Sequence, residues 1–286
     1  MDCIKVTYLI AHMGVGGSEH QLFQLLSHMD RERYQFTIIV FNPSPNFVFD
    51  DRLAAMGISV LNIPADRNTI LKRVQYVYQC LREIKPDIVH SWTFYDNPYA
   101  GIAGRLAGVN VRLGSLRNSL QLKGTRELPF LFRWLALHTV RHLYVNARSI
   151  QTELIEIGYP AEKVIVLPNG VNLSHFAKAE PLDMDESRYV VGIVGNLRRV
   201  KNHELFIRGM SKVITTRDDV RGVIVGQAIS SEPDLRERLQ KLIDELGMSE
   251  HIQMLGFRQD VPQLMKGFDI LCLTSQNEGM PNVILE

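Results

Sequence analysis

Glu278 and Glu286 stand eight residues apart in S-Q-N-E-G-M-P-N-V-I-L-E, the segment from Ser275 to Glu286. On a helix that spacing is about two turns, which puts both carboxylates on one wall of a cleft. Such a pair accepts hydrogen bonds from sugar or ribose hydroxyls. Between the two acids, Gly279 permits a close backbone approach, Met280 follows in the turn, and Pro281 suits the first helical position. The turn's N–H groups then donate to sugar or phosphate oxygens. A plain helix start bearing an acid is the simpler alternative, yet the spacing makes this the most specific signal in the chain.

A second segment, G-N-L-R-R-V-K-N from Gly195 to Asn202, sets Arg198, Arg199 and Lys201 behind a glycine that ends a strand-like run. Cations at a helix start oppose its dipole, at a cost of up to ~1 kcal/mol unless an anion sits between. A diphosphate answers that need with charge-assisted hydrogen bonds of roughly 1.5–3 kcal/mol each; a solvated basic turn is the alternative. A third segment, G-V-G-G-S-E from Gly14 to Glu19, has Gly16 and Gly17 where backbone N–H groups can approach an anion at a helix start. A dinucleotide fingerprint needs a further glycine where Glu19 stands and an acid where Phe41 and Asn42 stand, so NAD is not expected.

Short β-branched runs alternating with longer helical patterns must position these turns. The first series of strands is expected at Val6–Ala11, Phe36–Phe41, Val60–Ile63, Ile88–Ser91, Val109–Ser115, Leu143–Asn146 and Val164–Leu167. The second is expected at Val190–Val194, Val220–Val225, Ile252–Leu255 and Ile270–Thr274. Helices are expected at Glu19–His28, Ile70–Ile84, Lys201–Thr216 and Pro233–Leu246. Continuous apolar strands between helices imply parallel α/β sheets, whose ligands bind beyond the carboxyl ends of the strands. The polar, aperiodic stretch after Asn172 predicts two domains, 1–172 and 187–286, joined by a linker at 173–186.

Composition agrees with a two-core globular protein of 286 residues: 45% hydrophobic, 22% charged, with a net charge of +1. No apolar run reaches the roughly 18 residues of a membrane span, and the first residues read as a strand, not an export signal. Cys3, Cys80 and Cys272 lack metal-ligand spacing and are expected to be buried free thiols, as in a reducing cytoplasm. Charge is uneven: from Arg105 to Arg148 there are eight basic residues and one acid, Glu127. That excess suggests an anionic partner on the N-terminal half, while the uninterrupted basic clusters of nucleic-acid binders are missing.

The three turns, together with P-D-I-V-H (Pro86–His90), V-L-P-N-G-V (Val166–Val171) and L-G-F-R-Q-D-V (Leu255–Val261), resemble glycosyltransferase family 4, from the first strand to the last residue. The resemblance implies a GT-B fold, two Rossmann-like domains with parallel sheets facing across a cleft, the C-terminal one incomplete. It implies that Glu278 meets the donor sugar and Glu286 the ribose, in an E-x7-E motif. It places Lys201 and Arg198 on the donor diphosphate, with Gly195 in the same turn, and Gly16 and Gly17 close to the phosphates. Phe257 and Arg258 would lie near the base, while Asp260 is read as the N-cap of a short helix through Leu264. Departures from the family pattern are Asn196 where arginine is common, Arg117 where a histidine is common, and an end at Glu286 where the family continues, which suggests a shortened product or partial sequence.

Other residues carry open alternatives. His90 can face acceptor or donor, or be a structural histidine bonded to backbone; Arg117 is grouped with it on the acceptor side. The segment Leu128–Leu143 can be an amphipathic helix on anionic lipid, but a core-facing helix with exposed arginines is favoured. His12, His20 and His28 lack a partner set for zinc. The expected activity is retaining sugar transfer from a nucleotide-sugar to a glycan or lipid-linked hydroxyl, in the cytoplasm or at the inner membrane face. It would need no cofactor or metal if cationic side chains carry the counter-charge. A GT-B nucleotide-sugar epimerase, or an inactive fragment that binds sugar nucleotides, is the alternative.

Overall fold

The computed structural model describes residues 3–14, 16–43, 49–182, 189–229 and 231–286. The chain divides into two compact units, Met1–Gly170 with Gly279–Asn282, and Val171–Glu278 with Val283–Glu286. Part of the expected linker, 183–186, lies outside the described residues; Leu173–Ala177 within it forms a short helix, with the Asn172 side chain accepting from His175 N.

The first unit holds a seven-stranded sheet: β1 (Ile4–Ile10), β2 (Tyr34–Val40), β3 (Ser59–Asn62), β4 (Ile88–Ser91), β5 (Val111–Leu116), β6 (His142–Val145) and β7 (Val164–Val166). Its order is β3-β2-β1-β4-β5-β6-β7, parallel throughout. Both faces are covered, which is why the strands read as unbroken apolar runs. One core gathers Tyr8, Ile10, Leu22, Phe36 and Ile38; another gathers Leu9, Ile39, Val77, Val89 and Tyr99. The Ile70–Ile84 helix is bounded as its periodicity predicts: Thr69 accepts from Lys72 N at its start, and Lys85 ends it in the left-handed region (φ 51°).

The second unit holds β8 (Tyr189–Val194), β9 (Val220–Val225), β10 (Ile252–Gly256) and β11 (Ile270–Leu271), ordered β10-β9-β8-β11 and also parallel. Gly192 is required in the middle of β8, because a Cβ there would land on the Phe268 ring. The last strand is shorter than expected. After Cys272, whose N–H still bonds Gly192 O, the chain leaves the sheet and bonds the preceding loop instead: Thr274 Oγ1 donates to the carbonyls of Lys201 and Asn202, and Gln276 N to Val200 O. Backbone and hydroxyl donors are satisfied there by a turn, not a ladder.

The expected helix Lys201–Thr216 starts later, at His203, and runs to Ile214. Asn202 stands in the left-handed region (φ 53°) and separates it from a 3-10 turn, Arg199–Lys201. Lys201 therefore sits on a turn before the helix, not in its first turn. Of the thiols, Cys80 is buried, whereas Cys3 and Cys272 are only half-buried.

Candidate functional site

In an open parallel sheet the binding crevice lies where strand order reverses, beyond the carboxyl ends of the two strands flanking that point. In the second unit those strands are β8 and β11. Gly195 follows β8, with φ 158° and its N–H on Val225 O at 2.8 Å. The turn then brings Lys201 to Glu278, downstream of β11: Nζ donates to Oε1 at 2.5 Å. Both side chains are mostly covered, 25% and 20% exposed, so solvent weakens the pair less than at an open surface.

Arg198 is exposed and forms no ion pair among the described residues; with Arg199, Arg238, Lys241 and His203 it lines a cavity of about 480 Å³. Arg199 N donates to Glu232 Oε2 at 2.8 Å. His203 is buried beside the turn; burial, and then Lys201, draw its imidazole down to about 4, so it is neutral near pH 7.

Three glycines with positive φ close the carboxyl ends of neighbouring strands: Gly195 after β8, Gly226 (146°) after β9, and Gly256 (71°) ending β10. They are laced together, since Gly226 N donates to Gly256 O at 2.8 Å. A Cβ at 226 would fall on the Gly195 carbonyl. The sequence reading missed Gly226; its signal was a glycine directly after a strand, at the place matching Gly195. Phe257 follows Gly256 and is 45% exposed.

Arg258 grips Asp260 through two hydrogen bonds, Nε to Oδ1 at 2.8 Å and Nη2 to Oδ2 at 2.5 Å. The expected N-cap is in place, without a side-chain bond. Asp260 holds the N-cap position of the helix Val261–Lys266, but its carboxylate answers Arg258 and makes no capping bond. The acidic pair needs correction. Only Asn282–Leu285 is helical after Glu278, so eight residues do not span two turns. The intervening Gly279–Asn282 clusters with the first unit, where Asn169 Nδ2 donates to the carbonyl of Met280 at 2.9 Å and to Asn282 Oδ1 at 2.7 Å. Pro281 lies just before that turn. Glu286 is partly buried, and burial pushes its carboxyl pKa up.

The first unit reverses strand order between β1 and β4. Gly16, after β1, is the N-cap of the Gly17–His28 helix, and a Cβ there would land on the Glu19 carboxylate. Asn282 Nδ2 donates to Gly17 O at 3.2 Å. His90, in β4, is 5% exposed, with Nε2 3.0 Å from Ser115 Oγ and the rings of Tyr8, Trp92 and Tyr144 around it. Its partner is thus a hydroxyl, not backbone. Burial, with Arg117 adding, draws its pKa to about 3, so it carries no charge near neutral pH. Arg117, just past β5, stacks on Trp92 with Cζ 3.8 Å from the ring centroid.

The expectation for Leu128–Leu143 is also corrected. The helix is Phe130–His138, and it exposes large apolar residues: Phe130 (82%), Leu131 (65%) and Trp134 (46%). Arg133 is partly buried, while Ala136 and Leu137 face the core. No described helix is long and apolar enough to cross a membrane.

Two parallel α/β sheets, each with a glycine turn where its strand order reverses, are the architecture of GT-B glycosyltransferases. The chain belongs to glycosyltransferase family 4: that family's model matches residues 15–175, and the model for glycosyl transferases group 1 matches 176–286. Among solved structures it is similar to Anabaena HepE in complex with UDP and glucose, with a TM-score of 0.80 and 22% identity, covering 99% of this chain and 77% of that one. Among curated relatives it is 25% identical to the Escherichia coli UDP-Gal:alpha-D-GlcNAc-diphosphoundecaprenol alpha-1,3-galactosyltransferase, over 99% of this chain and 76% of the relative. It is 29% identical to the Campylobacter jejuni N-acetylgalactosamine-N,N'-diacetylbacillosaminyl-diphospho-undecaprenol 4-alpha-N-acetylgalactosaminyltransferase, over 99% and 77%. It is a glycosyltransferase of the group 1 type.

Proposed function

We propose that the chain moves a sugar from a nucleotide-sugar to a hydroxyl of a glycan or lipid-linked acceptor, with the anomeric configuration retained. The observation that carries this reading is the Lys201–Glu278 pair at the strand-order reversal of the second sheet. Lysine has three N–H donors, and Glu278 takes one while fixing the ammonium in place. The others are available to a diphosphate oxygen, and the second carboxylate oxygen to a sugar hydroxyl. Lys201 and Arg198 stabilise charge as it builds on the departing diphosphate. The acceptor oxygen attacks from the face the diphosphate leaves, and its proton passes to the freed phosphate oxygen. Counter-charge from side chains makes a metal unnecessary in this scheme.

Around that centre the reading assigns Gly195, Gly279, Met280 and Pro281 to the phosphates and sugar, Glu286 to the ribose, and Phe257 and Arg258 to the base. Gly16 and Gly17 approach the phosphates, and His90 and Arg117 belong to the acceptor side. The donor is assigned to residues 187–286 and the acceptor to 1–172, with 173–186 as linker. The names of the two bacterial relatives, both specifying diphosphoundecaprenol-linked acceptors, support a lipid-linked acceptor; the UDP of HepE supports a nucleotide donor. Proton NMR of the product made from an α-linked nucleotide-sugar tests the reading. An α-linked product is expected; a β-linked product would contradict retention, and conversion of the donor without acceptor would favour an epimerase.

The Phe130–His138 helix supports peripheral contact with an anionic membrane at the cytoplasmic face. Its outward apolar residues are flanked in sequence by exposed Arg126 and Arg141, the combination that holds an interfacial helix on acidic lipid. The chain is expected to sediment with phosphatidylglycerol-containing vesicles and not with phosphatidylcholine alone. Phe130→Glu with Trp134→Glu should abolish most of that binding, and undiminished binding would refute the contact.

A further inference from the structure

At the carboxyl ends of β4, β5 and β6, the first unit encloses a small cavity lined by His90, Trp92, Ser115, Arg117, Tyr144 and Asn146, among others. Its space, about 10 Å³, suits one water or one oxygen atom of a larger group. The cavity's polar groups are incompletely satisfied. Arg117 donates through Nη1 to Asn169 Oδ1 at 3.0 Å, but its buried Nε has no partner. Asn146 is 4% exposed and its Oδ1 also lacks a partner. Among the described residues, no carboxylate forms an ion pair with Arg117.

The other titratable groups at this place do not balance the charge. The Tyr8 phenol is pushed up by burial, and the His90 imidazole is drawn down to about 3, so both are neutral at pH 7. Burial pulls Arg117 itself down to about 10, which still leaves it a cation. A desolvated guanidinium without a counter-ion is costly, and the Trp92 face offsets only part of that cost. Trp92 is itself anchored: its Nε1 donates to Ser18 O at 2.7 Å, on the first turn of the Gly17–His28 helix. Arg117 and the glycine turn are thus joined through Trp92.

We infer that this cavity is an anion subsite, in which Arg117 takes one oxygen of a phosphoryl group lying along the carboxyl-end crevice of the first sheet. Asn146 joins it with its amide reversed, Nδ2 donating; which amide atom is which is set by the partner it meets. The phosphoryl group can come from a nucleoside diphosphate or from a phosphorylated acceptor, and the chemistry at Arg117 is the same. This goes beyond the transfer reading and stands on residues of the first unit alone.

The chain has two tryptophans, so Trp134→Phe leaves Trp92 as the sole reporter beneath Arg117. Inorganic diphosphate titrated into that variant is expected to change Trp92 emission saturably. Arg117→Gln in the same background should weaken the midpoint at least about ten-fold, while Arg117→Lys, which keeps the charge, weakens it less. If Arg117→Gln does not fold, as judged by its thermal transition, Arg117→Lys and a second variant, Asn146→Ala, carry the comparison, each with weakened binding expected. In Lys201→Ala the Trp92 response should persist, which separates this site from the diphosphate role proposed for the second unit. Saturating UDP that blocks the response assigns the site to the donor, and UDP that leaves it intact assigns it to a phosphorylated acceptor. No saturable response, wild-type affinity in the Arg117 variants, or a response lost in Lys201→Ala but kept in Arg117→Gln would overturn the inference.

Discussion

Lys201→Ala is expected to lower sugar-transfer turnover by about 10²–10³-fold, the size measured when one preorganised donor to a developing negative charge is removed. The ammonium is held by Glu278 Oε1 at 2.5 Å and by a turn whose two last carbonyls, Lys201 and Asn202, are both bonded by Thr274. That clamp fixes the charge before the diphosphate departs, so little reorganisation is needed during the reaction. Lys201→Arg keeps charge but not length, and should recover only part of the rate. Removing Lys201 also leaves Glu278 mostly covered without its partner, so Lys201→Ala with Glu278→Gln should be less damaging than the product of the two single effects. Steady-state donor consumption across the four chains measures this. Full activity in Lys201→Ala, or strictly multiplicative losses, would remove the pair from the mechanism.

Gly226→Ala is expected to be the most damaging single methyl group in the second unit. The residue sits at φ 146°, which an L side chain rarely adopts, and its Cβ would collide with the backbone carbonyl of Gly195, which has no rotamer by which to yield. Strained φ/ψ costs of order 1–3 kcal/mol and overpacking about the same again, so roughly 3 kcal/mol or more is expected. For a unit of this size that corresponds to a fall in Tm of roughly 10 °C or more. Because the clash is with Gly195, the surviving folded fraction should also bind donor more weakly. Gly209→Ala, on the His203–Ile214 helix with open space around a would-be Cβ, is the comparison and should be tolerated. Equal melting curves for the two variants would refute the packing argument.

Much of this architecture was legible from residues alone. The strands were readable because most are short β-branched runs, the central ones buried on both faces, and the Ile70–Ile84 helix because its apolar spacing and its ends agree. The turns at Gly16 and Gly195 were readable as glycines following a strand, although Gly226, in the same place after β9, was passed over. Two of the errors, at β11 and in the E-x7-E segment, come from distant backbone partners. Asn202 delays the start of the His203–Ile214 helix by adopting a left-handed conformation that its neighbours do not announce. β11 stops early because Thr274 and Gln276 bond a loop some seventy residues away. The E-x7-E segment is not a two-turn helix because Asn169 takes the Met280 carbonyl. Asp260 does begin its helix as expected, although its carboxylate bonds Arg258 and not the helix N–H groups. The Phe130–His138 helix fooled the reading differently: its outward face is apolar, and hydrophobic periodicity alone cannot say which apolar face meets the core.

Calorimetric titration of UDP-, GDP- and ADP-sugars into the chain and into Lys201→Ala bears most directly on the whole account. Saturable binding of at least one nucleotide-sugar, weakened ten-fold or more by the substitution, is the predicted result. A chain that binds none of them, or binds one equally well without the Lys201 ammonium, would contradict it.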